Sequence, residues 1–431
     1  MDPTVIVGAG AAGLVAAIFA AAGPVPVVVL ERTADGGRKI LISGGGRCNI
    51  LPSALTPARF VTDSPAHLLR GLLRSWPLAA QRRFFEDEVG VPLALEPETG
   101  KLFPRSNRAR DVRDGLVALA RRRGVQFQFG VDVRAIVRDG QRWRLDTSAG
   151  PIHGARVILA TGGLSVPATG SDGTGLRIAA ALGHAVHDTY PALTPLTFSP
   201  SHDHESAARL GVPGAAAFLS GLSLPVRLRA KWRNHTIESH GGFLFTHRGY
   251  SGPAVLDISH VCVRSLMDGC GQVRTGADGC GQVRATVRVC WTHIPAAEWE
   301  SRLRGGHGSV AGVLSRELPE RLSQFLLDQA GVPRDRRVSS LTRKERVTLI
   351  TCLTSFELPW TGHEGYKKAE VTGGGIALDE VDPRTLESQH HPGLFLCGEM
   401  LDAFGPIGGH NFAWAWATGR AAGLAAAARI G

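Results

Sequence analysis

Residues 4–32, TVIVGAGAAGLVAAIFAAAGPVPVVVLER, decide the fold of this chain. The β-branched run 4–7 predicts a short strand that is buried on both faces. GAGAAG follows with the GxGxxG spacing, and the alanine-rich run to Ala22 has a strong helix propensity. Gly23 ends that helix, and residues 25–30 predict a second strand that leads into Glu31. The stretch therefore predicts the strand, helix and strand of a Rossmann dinucleotide-binding unit.

The residue types in this unit suit a pyrophosphate. Gly8 and Gly10 permit a tight turn and a close approach of the ligand, whereas Gly13 lets the helix pack against the strand. The first N–H groups of the helix and its dipole attract an anion. Glu31, 18 residues after Gly13, can accept hydrogen bonds from a ribose. A carboxylate there favours an unphosphorylated ribose, and therefore NAD or FAD over NADP.

Residues 5–30 contain no charged side chain, so their length could imitate a membrane span or a signal peptide. The chain begins Met1-Asp2 rather than with a basic leader, and glycines and prolines divide the run into short elements. We therefore expect no membrane association. The seven cysteines form neither a CxxC pair nor a zinc spacing, which favours reduced thiols, a cytoplasmic protein and no metal site.

The segment 37–50, GRKILISGGGRCNI, distinguishes between the two cofactors. The glycines Gly44–Gly46 lie among Arg38, Lys39 and Arg47, directly after the second predicted strand. Glycines and cations together suit an extended anionic ligand that the backbone approaches closely, with plain loop flexibility as the alternative. In flavin enzymes a stretch at this place follows the diphosphate and the ribityl chain towards the ring. The sequence therefore predicts FAD.

Two later segments complete the predicted nucleotide domain. Residues 155–163, ARVILATGG, predict a buried strand that ends in a turn of small residues. Residues 393–428 predict another strand, then acidic residues, then glycines that open a long helix. Glu399 is placed to bind ribityl hydroxyls, and the N–H groups of 408–411 would favour negative charge on the flavin's pyrimidine end. The domain is thus predicted to be discontinuous, with its C-terminal part closing around an inserted middle.

Five motifs, in this order along the chain, carry a resemblance to a known family. They are GRKILISGGGRCNI, ATGGLSVPATGSDGTG, GGFLFTHRGYSGPAVLDIS, EVTGGGIALDEVDPRTLES and GEMLDAFGPIGGHNFAWAWATGRAAG. The chain resembles the bacterial FAD-binding flavoproteins related to aminoacetone oxidase, a group that includes flavin reductases of bile-acid dehydroxylation. The resemblance implies an α/β oxidoreductase in three parts. These parts are a discontinuous Rossmann-type FAD domain at 1–190 and 362–431, an inserted β-rich or barrel domain at 191–300 and 346–361, and a small helical subdomain at 301–345.

The motifs and the resemblance together predict one set of cofactor-binding residues. The set comprises Gly8, Ala9, Gly10, Ala11, Ala12, Gly13, Glu31, Arg32, Arg38, Lys39, Ser43, Gly44, Gly45, Gly46, Arg47, Asn49, Val133, Ala160, Thr161, Gly162, Glu399, Asp402, Gly408, Gly409, His410, Asn411 and Phe412. The resemblance implies Val133 at the adenine and 160–162 at the diphosphate. His410 departs from the family's pattern, in which an aromatic residue precedes the asparagine. It is the candidate catalytic residue, as an acid or base near the ring, with a merely polar helix N-terminus as the alternative.

The inserted region predicts strands and then helices. Strand-like runs occur at 224–230, 241–247, 254–259 and 284–291, and they indicate an antiparallel sheet or small barrel covering the flavin. Apolar residues recur at helical spacing in 310–332, and 340–358 predicts a second helix. His247 and Tyr250 either face the substrate or belong to a polar strand end that packs on the FAD domain.

Two cysteine-containing segments each have a structural and a functional interpretation. A tandem copy, DGCGQVRTGA at 268–277 and DGCGQVRA at 278–285, contains Cys270 and Cys280. We expect a duplicated surface loop with hairpin turns rather than a metal or disulfide site. Cys48 is expected to be a small buried residue rather than a redox thiol, because no partner cysteine lies near it in the sequence.

The net charge of +10 arises from 48 Lys and Arg against 38 Asp and Glu. It could indicate nucleic acid, but the arginines are scattered along the chain, so nucleic acid is not expected as a partner. No second strand–GxGxxG–helix unit follows the first, which argues against a dedicated NAD(P)H domain. Reducing equivalents would then come from NAD(P)H docked transiently or from the substrate itself.

These observations predict an FAD-dependent oxidoreductase that transfers a hydride between FAD and a small organic molecule. In one version NAD(P)H is the donor and an enone-like or quinone-like acceptor is reduced. In the other a small amine is oxidised with oxygen. An RNA-directed flavoprotein, similar to tRNA-modifying FAD enzymes, and a flavin-binding regulator without turnover are the alternatives.

Overall fold

A computed structural model describes residues 2–198, 218–270 and 284–428. The chain forms two compact units, Met1–Pro191 with Glu370–Gly431, and Ala192–Ala369. The helices predicted for a subdomain at 301–345 lie within the second unit, and their separation as a subdomain stays a prediction. Most of the tandem copy at 268–285, including Cys280 and the side chain of Cys270, lies outside the described residues.

The first unit contains both strands and helices. Its strands are β1 (Thr4–Val7), β2 (Val27–Glu31), β3 (Leu51–Pro52), β4 (Leu93–Glu96), β5 (Lys101–Pro104), β6 (Gln126–Phe129), β7 (Val133–Asp139), β8 (Arg142–Thr147), β9 (Gly150–Gly154), β10 (Arg156–Leu159), β11 (Val186–Ala192), β19 (Val371–Ile376) and β20 (Leu394–Leu396). Its helices are α1 (Ala11–Ala20), α2 (Arg38–Ile42), α3 (Ala66–Arg74), α4 (Leu78–Arg83), α5 (Ala109–Arg122), α6 (Thr174–Ala181) and α12 (His410–Ala427).

A five-stranded parallel sheet in the order β20-β10-β1-β2-β6 forms the centre of this unit. Every residue of β1 is buried, as the continuous apolar run predicted. Because the strands are parallel, the segments that follow β1, β2, β10 and β20 all leave the same edge of the sheet. The predicted cofactor residues from four distant parts of the chain come together at this edge, which we call the site edge.

Helices α1 and α12 pack closely against each other beside the sheet. A Cβ at Gly419 would lie 2.3 Å from the Ala12 carbonyl oxygen, and one at Gly423 would lie 2.4 Å from the Ala16 carbonyl oxygen. Only glycine permits so close an approach of the two backbones. The C-terminal helix is therefore part of the same core as the N-terminal GxGxxG helix, as the discontinuous domain requires.

Two predicted boundaries in the first stretch are shifted by two residues each. Helix α1 ends at Ala20 rather than Ala22, and the Ala22 N–H continues only into a tighter turn on the Phe19 carbonyl. The second strand begins at Val27 rather than residue 25, because Pro26 has no N–H to donate to a sheet. Smaller sheets, β3-β5-β4, β7-β8-β9 and β11-β19, extend the unit.

The second unit is built on an antiparallel sheet. Its strands are β12 (Leu196–Thr197), β13 (Ser223–Trp232), β14 (His235–Thr246), β15 (Gly249–Ser251), β16 (Thr286–Cys290), β17 (Phe356–Glu357) and β18 (Gly362–His363), in the order β17-β16-β13-β14-β15-β12-β18. Its helices are α7 (Pro253–Cys270), α8 (Ala296–Gly305), α9 (Val310–Leu314), α10 (Glu320–Gln329) and α11 (Arg343–Thr354). Of the open alternatives, sheet or barrel, the structure has a seven-stranded sheet.

Two predictions for this unit need correction. The run 254–259, AVLDIS, was predicted to be a strand but lies in the first turns of helix α7. Pro253 suits the first helical position, and the buried residues Ala254, Ile258 and Cys262 recur at helical spacing. A short apolar run cannot by itself distinguish the two structures. The helix predicted over 310–332 is divided into α9 and α10 at Pro319, which precedes the second of them.

No helix among the described residues is long and apolar enough to cross a membrane. In particular, the uncharged residues 5–30 form β1, α1 and most of β2.

Candidate functional site

The GxGxxG turn connects β1 to α1 and has the geometry that its glycines predicted. Gly8 has a φ of +103°, and a Cβ there would lie 2.6 Å from the Ala160 carbonyl oxygen. A Cβ at Gly13 would lie 1.9 Å from the Gly8 carbonyl oxygen, so helix and strand touch at this point. A Cβ at Gly10 meets nothing within 4 Å. Gly10 therefore faces open space at the start of α1, whose first turn is Ala11, Ala12 and Gly13.

Glu31 is the last residue of β2, and both of its carboxylate oxygens are held by protein donors. The Ala9 N–H donates to Oε2 at 2.8 Å. The Thr33 N–H and hydroxyl donate to Oε1 at 2.8 Å and 2.6 Å. The side chain is thus fixed beside the glycine turn, and Oε2, with one donor, keeps a lone pair for a further hydrogen bond.

The segment after β2, a loop that includes the short helix α2, brings three cations and three glycines to the same edge. Gly44, Gly45 and Gly46 all have left-handed φ values, 55°, 67° and 84°, which a side chain would strain. They follow Ser43, whose hydroxyl donates to the Ile40 carbonyl oxygen at 2.8 Å. A Cβ at Gly45 would meet nothing within 4 Å. The backbone here is open to a ligand on one side.

The three cations of this loop have different surroundings. Arg38 pairs with Asp35 at 2.8 Å, and both are well exposed. Arg47 pairs with Glu96 at 3.1 Å and lies over the Phe103 ring at 4.1 Å. Lys39, by contrast, is directed to Glu399 and is more buried than either arginine. Of the three, Lys39 is the one that connects the loop to another segment of the site edge.

Cys48 and Asn49 follow the glycines and are both buried. The Cys48 thiol is free, and burial raises its pKa to about 12. It is therefore a small buried residue and not a reactive thiolate at neutral pH. The Asn49 side-chain oxygen is buried without a hydrogen-bond partner among the described residues. A buried acceptor without a donor raises the free energy of the folded protein. We therefore expect the Asn49 oxygen to accept a hydrogen bond from a bound ligand.

Glu399 is the centre of a hydrogen-bond network that connects three segments of the site edge. Lys39 Nζ donates to its Oε2 at 2.6 Å and to the Ser165 hydroxyl at 2.6 Å. The Ser165 hydroxyl donates to Oε1, and the N–H and hydroxyl of Thr372 donate to Oε1 at 3.1 Å each. Sequence reasoning missed Ser165 and Thr372. Both lie inside motifs that carried the family resemblance, which was the only signal that could have found them.

The first turn of α12 presents the GGHN segment. Gly408 and Gly409 have φ values of +116° and +88°, and a Cβ at Gly409 would lie 2.6 Å from the Leu51 backbone. The Asn411 amide accepts from the Gly405 N–H at 2.8 Å and donates to the Gly405 carbonyl oxygen at 2.9 Å. Phe412, also in the predicted set, stacks on Trp416 with ring centroids 5.2 Å apart. The glycine loop before the helix is thereby clamped in place.

His410 begins α12 and is 5% exposed. Neither ring nitrogen has a hydrogen-bond partner among the described residues, although the Ile407 carbonyl partly opposes the lowering of the ring's pKa. Burial, helped by the positive charge of Arg59, lowers the pKa of His410 to about 4. The imidazole is therefore neutral at pH 7, where it can donate or accept a hydrogen bond but does not carry charge. Its role as acid or base stays a prediction.

Three further members of the predicted set have defined structural surroundings. The Oδ2 atom of Asp402 accepts hydrogen bonds from the loop 62–64. Arg32 pairs with Asp132 at 3.1 Å and Asp172 at 2.6 Å. Val133 is buried at the start of β7, beside a β-bulge.

Residues 160–162 form the turn after β10. The Ala160 N–H donates to the Val7 carbonyl oxygen at 2.9 Å, and Gly162 has a φ of +74°. A Cβ at Gly175 would lie 2.0 Å from the Thr161 hydroxyl oxygen. The turn thus lies directly beside the GxGxxG segment.

In the second unit, His247 and Tyr250 have unlike positions. His247 is exposed in the turn between β14 and β15. Tyr250 is buried in the core of that unit, with its ring 5.7 Å from the Phe243 ring, and burial raises the pKa of its phenol. Whether either residue faces a substrate stays a prediction.

The residues present fit FAD. The open space at Gly10 suits a pyrophosphate beside the first turn of α1. The orphaned oxygen of Asn49 and the orphaned ring nitrogens of His410 are buried polar atoms that a flavin nucleotide, rich in donors and acceptors, could satisfy. Among the described residues no cluster of three or more His, Cys, Asp or Glu side chains could hold a metal ion.

Comparisons with known proteins bear on this site. A family model described as "HI0933-like protein Rossmann domain" matches residues 2–425. The "Ribosomal RNA dihydrouridine synthase" of Escherichia coli (strain K12) is 31% identical over 420 residues, which are 96% of this chain and 95% of that protein. The "3-dehydro-bile acid delta(4,6)-reductase" of Clostridium scindens is 31% identical over 436 residues, 98% of each protein.

A solved structure shares the fold. It is the 3-ketosteroid-delta4-(5alpha)-dehydrogenase of Rhodococcus jostii RHA1, with 16% identity and a TM-score of 0.50 over 99% of this chain and 97% of that one. The comparisons confirm the Rossmann-type fold, FAD as the cofactor and the oxidoreductase class. They give no support to the expectation that nucleic acid is not a partner, since a relative is named for ribosomal RNA.

Proposed function

This chain belongs to the HI0933-like family and is an FAD-dependent oxidoreductase, and from this premise we propose that it reduces a carbon–carbon double bond next to a carbonyl group. The proposed substrate is a small organic molecule of the enone type, and the proposed electron donor is NAD(P)H. FAD, when bound, supplies a carrier that accepts a hydride from one partner and passes it to the other.

One observation carries the choice of reaction. Both relatives reported above span nearly the whole chain, and both are named for adding hydrogen across a double bond, in a uridine and in a 3-oxo bile acid. In each of these compounds the reduced bond is conjugated with a carbonyl. The reaction balances with NAD(P)H, since one hydride and one proton from solvent saturate the bond and NAD(P)+ is released.

Residues of the site edge would support this chemistry without a charged catalytic group. His410, with its neutral ring, is the first residue of α12. N–H donors at this helix start would favour negative charge that develops in the reaction. The amine oxidation with oxygen remains the competing version of the proposal.

An anaerobic titration with NADH and with NADPH, followed by the visible absorption of the flavin, tests the donor. We expect the band to bleach within a catalytically useful time. The reduced protein is then mixed with a 3-oxo-4-ene steroid, and reoxidation of the flavin without oxygen supports the enone proposal. A flavin that stays oxidised with both nicotinamides contradicts it, and small amines are then the first compounds to test.

A second candidate is reduction of a uracil base carried by RNA, and a surface of the second unit favours it. Arg227, Arg229 and Lys231 are exposed at alternate positions of β13. Arg288 of β16 is also exposed and stands opposite Arg229 in the register. The same face carries Glu238, 3.7 Å from Arg229. The four cations, which we call the basic face, give one surface of the sheet a net positive charge that suits a phosphate backbone. They are Arg227, Arg229, Lys231 and Arg288.

Fluorescence anisotropy with a labelled uridine-rich RNA distinguishes the two substrate classes. If RNA is the substrate, binding weakens steeply with salt, and a triple variant R227E/R229E/K231E binds at least about tenfold more weakly. The matched control R70E/R74E/R82E reverses three exposed arginines of the first unit and should bind as the unaltered protein does. Equal binding by both variants contradicts a role for the basic face.

The cellular location belongs to this proposal as well. Cys48, Cys262, Cys290, Cys352 and Cys397 are free thiols among the described residues. Free thiols support a reducing compartment, and we therefore propose the cytoplasm.

A further inference from the structure

The carboxylate of Glu399 is held so that its two oxygens have different amounts of hydrogen-bonding capacity left. Oε1 accepts from the Ser165 hydroxyl, from the Thr372 N–H and from the Thr372 hydroxyl. Oε2 accepts from Lys39 Nζ. A carboxylate oxygen has about two lone-pair directions, so Oε1 is saturated by the protein and Oε2 has room for one more donor.

Thr372 has a second task in the same place. Its hydroxyl oxygen accepts from the Leu164 N–H at 2.7 Å and from the Ser165 N–H at 3.2 Å. The turn after β10 is thereby attached to β19, and Ser165 is brought to Glu399. Thr372 is 1% exposed, so these bonds are made away from water.

Gly163 of the ATGG motif permits the close approach of the turn after β10 to Thr372. A Cβ at Gly163 would lie 2.3 Å from the Thr372 hydroxyl oxygen and 3.2 Å from Oε1 of Glu399. A side chain at position 163 would therefore displace both the threonine and the carboxylate. The absence of a Cβ here serves the network and not only the turn.

We propose that Thr372 is a positioning residue for FAD, which saturates Oε1 of Glu399 and leaves Oε2 as the one oxygen of that carboxylate that can accept a ribityl hydroxyl. Ser165 completes the same saturation from the other side. The inference rests on the proposed placement of Glu399 at the ribityl chain. It adds the residues that fix the carboxylate and the atom that would make the contact.

The test compares Thr372→Val with Thr372→Ser in the full-length protein. Apoprotein is prepared by removing FAD reversibly, and the Kd for FAD is measured by quenching of flavin fluorescence. Valine keeps the shape but removes the hydroxyl, so Oε1 loses one of its three donors and the N–H groups of Leu164 and Ser165 lose their acceptor. The carboxylate is then no longer held in one orientation, and the Kd should rise about tenfold. Serine keeps the hydroxyl and should restore the Kd to within about twofold.

A control threonine in another sheet distinguishes an effect on FAD binding from a general loss of stability. Thr147 of β8 is also buried, and its hydroxyl accepts from the Ala149 N–H at 3.1 Å and donates to the Gly150 carbonyl oxygen at 2.5 Å. Thr147→Val should lower the thermal stability of the apoprotein, as Thr372→Val does, but leave the Kd for FAD unchanged. If both variants weaken FAD binding equally, the inference is wrong.

A double-mutant cycle shows whether Thr372 acts through Glu399. In a Glu399→Ala background, Thr372→Val should change the Kd by less than about twofold, because the carboxylate that it orients is gone. An unreduced tenfold effect in that background overturns the inference. If Thr372→Val does not fold, Ser165→Ala decides: it removes another donor to Oε1, and an unchanged Kd would contradict the proposal. Failure of the unaltered protein to bind FAD would instead contradict the cofactor assignment itself.

Discussion

The ammonium of Lys39 lies 2.6 Å from Oε2 of Glu399, although 360 residues separate the two in the chain. Lys39 belongs to helix α2, in the segment after β2, and Glu399 follows β20 at the far end of the same parallel sheet. The pair therefore joins the N-terminal and C-terminal parts of the discontinuous nucleotide domain. The side chains are 26% and 17% exposed, so the interaction is less screened by solvent than a surface pair.

Replacing Lys39 by Met should weaken FAD binding and destabilise the first unit. The substitution leaves Oε2 of Glu399 without its cation in a site that is largely removed from water. We expect a Kd for FAD that is higher by about tenfold or more and a free energy of unfolding that is lower by about 1–3 kcal/mol. Fluorescence titration and urea unfolding measure the two effects.

Arg38 offers a matched control beside it. Its pair with Asp35 is exposed, with side-chain values of 37% and 47%. Arg38→Met should therefore change the stability by less than about 1 kcal/mol. A loss of FAD affinity as large as that of Lys39→Met would mean that the charge of the loop matters and the Lys39–Glu399 pair does not.

Two glycines of the same motif should respond in opposite ways to alanine. Gly10→Ala places a methyl group in open space, with a backbone φ of −76° that alanine accepts, so the apoprotein should keep its stability. The methyl group would occupy the region proposed for the pyrophosphate, and FAD binding should weaken by at least about tenfold. Gly13→Ala instead overlaps the Gly8 carbonyl oxygen at 1.9 Å and should destabilise the apoprotein by several kcal/mol, roughly as an overpacked core does. Normal FAD binding by Gly10→Ala would contradict the placement of the pyrophosphate.

Asp402 should prove to be structural in the first place. Its Oδ2 accepts from the Thr62 hydroxyl at 2.9 Å, the Asp63 N–H at 2.9 Å and the N–H and hydroxyl of Ser64 at 2.9 and 2.8 Å. Asp402→Ala should lower the free energy of unfolding by about 2–4 kcal/mol, because the donors of Thr62, Asp63 and Ser64 lose their shared acceptor. Asp402→Asn keeps one oxygen and should lower it by less. A Kd for FAD that rises strongly in Asp402→Asn, with stability retained, would restore the direct contact that the resemblance implied.

The part of the fold that local sequence determines could be predicted. The GxGxxG segment, its flanking strand and helix, and the long helix at the C-terminus depend on glycine positions and continuous apolar runs, which act within a few residues. The prediction of a strand at 254–259 was wrong because these six residues suit a strand and a helix equally well. Whether it is one or the other depends on the residues that continue it and on the core that it packs against.

The site edge shows the same limit in chemical terms. The positions of Gly8, Gly13 and Glu31 at this edge were predictable, because a known ligand chemistry requires those residue types at that spacing. Their contact with the cofactor stays a prediction. Ser165 and Thr372 were not, since a serine and a threonine in glycine-rich loops have many uses. Their proposed role depends on a long-range meeting of the segments around β10, β19 and β20 that no local pattern encodes.

The stability of the first unit should depend on pH through His410. Its pKa in the folded protein is about 4, against 6.5 for an ordinary histidine. Between pH 6.5 and pH 4 the histidine is protonated in the unfolded chain but stays neutral in the folded protein. The free energy of unfolding therefore falls as the pH is lowered from 6.5 towards 4. The loss is about 1.4 kcal/mol per pH unit at most, and this histidine contributes no pH dependence above about pH 7.

His410→Phe separates this contribution from those of other histidines. The variant restores an aromatic residue next to Phe60, whose ring centroid lies 6.0 Å from that of His410, and it cannot titrate. His260 in the second unit also has a pKa lowered to about 4 by burial and is present in both proteins. Urea unfolding at pH 7 and pH 5 should therefore show a smaller loss of stability in the variant, by about 2 kcal/mol. Equal losses in the two proteins would mean that the ring of His410 is protonated in the folded state, and it could then serve as a general acid near neutral pH.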